Sequence, residues 1–111
     1  MAQPRFLIAE SLWFDREDER LWHEGKPVRL GGRALALLRT LMERSRTLVT
    51  KDDLLDEVWP GAAVTESVLT TAVKEIRQAL GDSARAPRFI ETAHGRGYRF
   101  LLPAEGRETG P

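Results

Sequence analysis

The sequence predicts an α+β domain in which a β-meander, three helices and a β-hairpin follow one another. Three observations carry that prediction. Short apolar or alternating runs fill residues 1–30, three stretches of helical periodicity follow, and two further strand-like runs flank a glycine-containing turn near the C-terminal end. Strands grouped apart from helices, rather than alternating with them, mark the α+β class. At 111 residues the chain has the length of one domain, with residues 1–103 as its body and 104–111, "AEGRETGP", as a flexible tail or linker.

The opening runs are "RFLIAE", "LWFD", "ERLWHE" and "PVRL", separated by "DREDE" and "EGKP". Links this short suit hairpins, so four antiparallel strands are expected. The acidic "DREDE" reads as a solvated turn; a metal loop is the other reading, but no ligand spacing extends beyond it.

The first helical pattern, "GRALALLRTLMERS", sets Leu35, Leu38, Leu41 and Met42 on one face. The second, "TKDDLLDEVW", opens with Thr50 as N-cap and places Asp52 and Asp53 in the first turn, where the helix dipole favours anions. Leu54, Leu55 and Val58 form its core face, and "WPG" stops it. The third helix is expected to start at Thr65 as cap and to run to Gly81, a good left-handed C′ residue. "RFIETAHGRGYRFLL" closes the chain's ordered part as a hairpin, with Phe100 facing inward.

At 100° per residue, Leu69, Val73, Ile76 and Leu80 fall within about 60° of one another and form the buried stripe of the third helix. Opposite lie Ser67, Thr71, Lys74 and Gln78, flanked by Thr70 and Arg77 on one side and Glu75 on the other. Two readings of this outer face stay open. Small hydroxyls, an amide and cations suit insertion into a DNA major groove, and the same face suits plain exposure to solvent. Residues 60–64 link the second helix to the third, longer than the ~3–4-residue turn of the simplest helix-turn-helix. Two helices, a recognition-like helix and a basic hairpin are nevertheless the layout of a winged helix.

Composition narrows the function classes. With 41% hydrophobic and 31% charged residues the chain is globular in type, and no apolar run approaches the ~20 residues of a membrane span. "MAQPRFLIAES" lacks the apolar segment of a signal peptide, and no cysteine is present. A cytoplasmic location without membrane contact is expected. Net charge is zero, yet residues 67–99 hold six Lys/Arg against three Asp/Glu, so the positive end is C-terminal. An enzyme is not expected: the two histidines, His23 and His94, have no nucleophile motif around them. "GRG" follows one strand and precedes another, whereas a dinucleotide fingerprint must open a helix. No cofactor and no metal are expected.

The run "VTESVLTTAVKEIRQALGD…RFIETAHGRGYRF", with "LLDEVWPG" upstream, resembles the winged-helix DNA-binding domain of OmpR/PhoB-type transcriptional regulators, over roughly residues 5–102. It is most similar to the branch that serves as the N-terminal module of ToxR/CadC-like regulators. The resemblance implies sequence-selective binding of double-stranded DNA, with the third helix (65–80) in the major groove and the wing (93–98) in the adjacent minor groove. Carried over by position, the groove-facing candidates are Ser67, Val68, Thr70, Thr71, Lys74, Glu75, Arg77 and Gln78. Arg88 and Arg96 add phosphate or groove contacts, His94 lies in the wing, and the Tyr98 hydroxyl is within reach of a phosphate. Trp59 matches a tryptophan that donates its indole N–H to a phosphate; a core aromatic is the other reading. The resemblance further implies tandem copies on direct repeats, an attached effector region, and a 60–65 loop that in relatives can face RNA polymerase.

Two departures stand out. Lys74–Glu75 replaces a pair of basic residues common in such helices, and His94 stands where several relatives carry arginine. Neutral net charge and Glu75 support an alternative function, a winged helix that binds protein instead of DNA.

Overall fold

The computed structural model describes residues 3–110. Strands β1 (Phe6–Ala9), β2 (Leu12–Asp15), β3 (Arg20–His23) and β4 (Lys26–Val28) form the expected meander. Their register explains the two faces. Leu7 pairs with Phe14, Phe14 with Leu21 and Leu21 with Val28, so one row of apolar side chains runs across four strands toward the helices. The neighbouring row, Ile8, Trp13, Trp22 and Pro27, takes the opposite face. Glu24 and Gly25, with φ of 54° and 78°, make the left-handed two-residue link between β3 and β4.

The sheet has five strands, one more than expected. Strand β8 (Glu105–Arg107) lies on the outer edge of β1, with Phe6 opposite Arg107 and Ile8 opposite Glu105. The segment read as a tail is therefore ordered backbone through Arg107, whose guanidinium lies 5.9 Å from the Trp13 ring centroid. "EGR" carries no alternating apolar pattern; its place is set by pairing with β1.

"DREDE" is also less solvated than expected. Asp15 is 2% exposed and accepts two bonds from Arg5, at 3.0 and 2.8 Å, plus the backbone N–H of Glu17 and Asp18. The Arg5 bonds, helped by those N–H groups, hold its carboxyl below the usual range against the opposing push of burial.

Helices α1 (Gly32–Glu43), α2 (Lys51–Val58) and α3 (Ser67–Leu80) pack against one another, and α1 packs on β1 of the meander. In α1 the buried residues are Ala34, Leu37, Leu38, Leu41 and Met42, while Leu35 is only half-buried. The stripe is wider than its sequence pattern because α1 is covered by both other helices and by strands. In α2, Leu54 and Val58 are buried and Leu55 is half-buried.

A second sheet was legible only in part. Strands β6 (Ile90–Ala93) and β7 (Gly97–Phe100) make the expected hairpin, and β5 (Leu48–Thr50) joins it in the order β5-β7-β6. Three residues between two helices carry no period of their own; pairing with β7 makes them a strand.

Thr50 ends β5 and caps α2, its Oγ1 accepting the Asp53 N–H at 3.1 Å. Thr50→Ala lowers the free energy of unfolding by about 1 kcal/mol, read by urea denaturation. Thr65 does not cap α3. Its hydroxyl lies 2.7 Å from the Ser67 hydroxyl, and the helix begins at Ser67 after a tighter turn in which Val68 N–H bonds the Thr65 carbonyl. Gly81, at φ 68°, ends α3 in the left-handed conformation expected of it.

Candidate nucleic-acid interface

Helix α3 buries Leu69, Ala72, Val73, Ile76 and Leu80, which leaves Ser67, Thr70, Thr71, Lys74 and Gln78 exposed. This outward ridge has a groove on each side. On one flank Thr70, Lys74 and Gln78 face His94 and Gly95 of the wing across a cleft of about 490 Å³. On the other, Ser67, Val68 and Thr71 border a shallower groove of about 370 Å³ against Trp59 and the start of α1. The structure thus sorts the helix residues singled out in sequence into two sets.

The wing tip is the three-residue turn His94–Arg96 between the paired residues Ala93 and Gly97. Gly95, at φ 75° with open space where a Cβ would stand, makes the left-handed turn, and Arg96 N–H closes it onto the Ala93 carbonyl at 2.9 Å. His94 and Arg96 are exposed. Among the described residues neither Lys74 nor Arg96 takes part in an ion pair, so both present an uncompensated cation.

Several candidates have other occupations. Glu75 Oε2 accepts the Gly31 N–H at 2.6 Å, placing a carboxylate at the N-terminal end of α1, where no side chain of that helix caps. It therefore ties α3 to α1, although the residue itself stays exposed. Arg77 is half-buried and donates to the Ile90 carbonyl at 2.7 Å and to Thr92 Oγ1 at 3.0 Å, bracing the helix on β6. Arg88 turns toward the meander, with Nη2 3.0 Å from Glu10 and its guanidinium 5.1 Å from the Phe89 ring. Tyr98 is a core residue, 6% exposed, that meets the cleft only along its lining. Trp59 is half-buried, packed on the core and bordering the second groove, so its ring is a core aromatic with one exposed side.

Gly97, by contrast with Gly95, is buried between β5 and β6, so its missing side chain serves the sheet and not the surface of the wing. A Cβ there would overlap the Val49 carbonyl and lie 2.9 Å from Thr50 Cα.

Asp82, just past α3, fixes the wing's approach. Oδ1 accepts Arg88 N–H at 2.7 Å, and Oδ2 accepts Phe89 and Ile90 N–H at 3.2 and 3.0 Å. Lys51 was not singled out in sequence, where it read only as the opening of the second helix. It lines the cleft because its N–H bonds the Arg96 carbonyl at 3.0 Å, through the β5–β7 pairing.

With this geometry in place, residues 25–100 match the profile of the family described as "Transcriptional regulatory protein, C terminal". The chain belongs to that family. This transcriptional regulatory protein domain is 33% identical over 106 residues to the cholera toxin homolog transcriptional activator of Vibrio parahaemolyticus, across 91% of this chain. The chain spans 36% of that relative's length. The solved DNA-binding domain of Escherichia coli CadC superposes with a TM-score of 0.78 at 26% identity, over 94% of this chain and 98% of that one. The Klebsiella pneumoniae RstA DNA-binding domain, solved in complex with the RstA box, superposes with a TM-score of 0.79 at 25% identity, over 87% and 97% respectively. The transcriptional regulatory protein domain is thus a winged helix of the OmpR/PhoB type. No helix among its described residues is long and apolar enough to cross a membrane.

Proposed function

We propose that the chain binds double-stranded DNA sequence-selectively, with α3 in the major groove and the wing 93–98 in the adjacent minor groove. One observation carries this reading: the outward ridge of α3 and the tip of the wing border the same cleft, each presenting an exposed cation without an ion-pair partner among the described residues. Ser67, Thr70, Thr71 and Gln78 have the size and hydrogen-bonding capacity to read base edges, while Lys74 supplies charge at mid-helix. Arg96 on its bare loop suits a narrow, A/T-rich minor groove. The Glu75–Gly31 bond supports the reading, because it holds the helix's one acidic side chain against α1.

Binding by tandem copies on direct repeats, in the cytoplasm, belongs to the same proposal. So does contact with RNA polymerase through the 60–65 loop, whose residues Pro60–Ala63 are exposed.

The test is duplex binding across a salt series. Lys74→Ala and Arg96→Ala each weaken binding about tenfold, the scale of one charge-assisted contact, and each lowers the log–log salt slope by about 1. A protein-binding winged helix predicts no duplex binding at low salt for any of the three proteins. Wild-type binding that both variants match in affinity and slope would move the interface elsewhere on the surface.

A further inference from the structure

We propose that Glu66 acts as a built-in competitor for DNA phosphate, occupying Lys51 so that the cleft between α3 and the wing offers one cation fewer. The inference rests on the DNA-binding reading above. Lys51 opens α2 beside the wing tip, and its Nζ lies 3.1 Å from Glu66 Oε2. Both side chains line the cleft.

The other charged groups of that cleft show why this pair matters. Arg77 is spent on the Ile90 carbonyl and Thr92, and Asp82 accepts three backbone N–H groups. Glu66 has no such employment: it immediately precedes α3, and no side-chain bond caps that helix. Among the described residues its carboxylate bonds Lys51 alone, while its backbone carbonyl accepts from the first turn of α3. The Glu66 side chain is 64% exposed against 27% for Lys51, and an ion pair so open to water contributes little to folding.

The pair therefore costs the fold little to lose and matters chiefly to an arriving anion. A phosphate entering the cleft must displace the carboxylate from Lys51 and then sit near it. That penalty falls on every duplex alike, since phosphate contacts carry no sequence information. It therefore lowers affinity for every duplex by the same factor and leaves the ratio between preferred and random sites to the base contacts of α3.

Binding of the 111-residue chain to a random-sequence duplex pool across a salt series tests this. Glu66→Gln binds about tenfold tighter at low salt, with a log–log slope steeper by about 1, as expected for one added phosphate contact. Adding Lys51→Ala to Glu66→Gln removes the gain. Glu57→Gln makes the same change in net charge at a carboxylate 2.8 Å from Arg44 and outside the cleft, and it leaves binding unchanged. Thermal unfolding confirms that each variant is folded. An equal gain from Glu57→Gln, or a gain that survives Lys51→Ala, overturns the proposal in favour of net charge. Wild-type binding that Lys74→Ala and Arg96→Ala weaken, without a gain from Glu66→Gln, overturns it while the DNA reading stands. Absence of binding by both wild type and Glu66→Gln overturns both.

Discussion

Gly97→Ala is expected to lower the stability of the domain by about 3 kcal/mol, the upper end of the usual range for overpacking. Gly97 is the first residue of β7, the central strand of its sheet, and it faces Thr50 of β5 on one side and Ala93 of β6 on the other. The added methyl would meet the Val49 carbonyl and the Thr50 Cα at 2.9 Å, both backbone atoms. A side chain can rotate away from such a clash, whereas β5 can retreat only by breaking its ladder with β7. Because Thr50 also caps α2, the displacement would reach that helix. Urea denaturation reads the loss, and duplex binding should fall with it as the wing tip loses its anchor on Lys51 N–H. Gly95→Ala serves as the contrast. Its site has open space around it, so only the left-handed conformation is penalised, by about 1 kcal/mol.

The second large effect is expected at Asp82. Its carboxylate gathers the N–H groups of Arg88, Phe89 and Ile90, the residues that carry the chain from α3 into β6. Asp82→Ala leaves those donors without their charged acceptor and should lower stability by about 3 kcal/mol. Burial alone would raise the Asp82 pKa, but its backbone N–H bonds outweigh that and hold the group below the usual range. A depressed carboxyl contributes stability above its unfolded-state pKa of about 3.9, and the contribution is lost as pH falls through the lower folded-state value. Urea midpoints measured from neutral to acid pH should therefore fall less steeply in Asp82→Asn than in wild type. Some slope remains, because Asp15 is depressed in the same direction.

The elements legible in the sequence are those whose pattern is local. Alternation placed β1 to β4, and the 3.6-residue period found the buried stripe of α3 with only Ala72 added. Strands β5 and β8 were missed because three residues carry no usable period; each exists through a partner distant in sequence. The candidate site divides in the same way. Exposure of Ser67, Thr70, Thr71, Lys74 and Gln78 follows from angle around a helix axis. The occupations of Glu75, Arg77 and Arg88 do not, since their partners are 44, 13 and 78 residues away. "HGRGYRF" shows both cases in one stretch: Gly95 turns the wing tip as its neighbours suggest, while Gly97 answers to a strand that sequence did not reveal.

In vitro selection of sites from a random duplex pool tests the central claim most directly, with wild type and Arg96→Ala run side by side. Wild type should enrich a defined major-groove motif bordered by an A/T-rich segment one groove away, and Arg96→Ala should retain the motif while losing preference for the A/T-rich border. Pools that emerge from wild-type selection with no sequence enriched over the input would contradict sequence-selective binding by α3 and the wing.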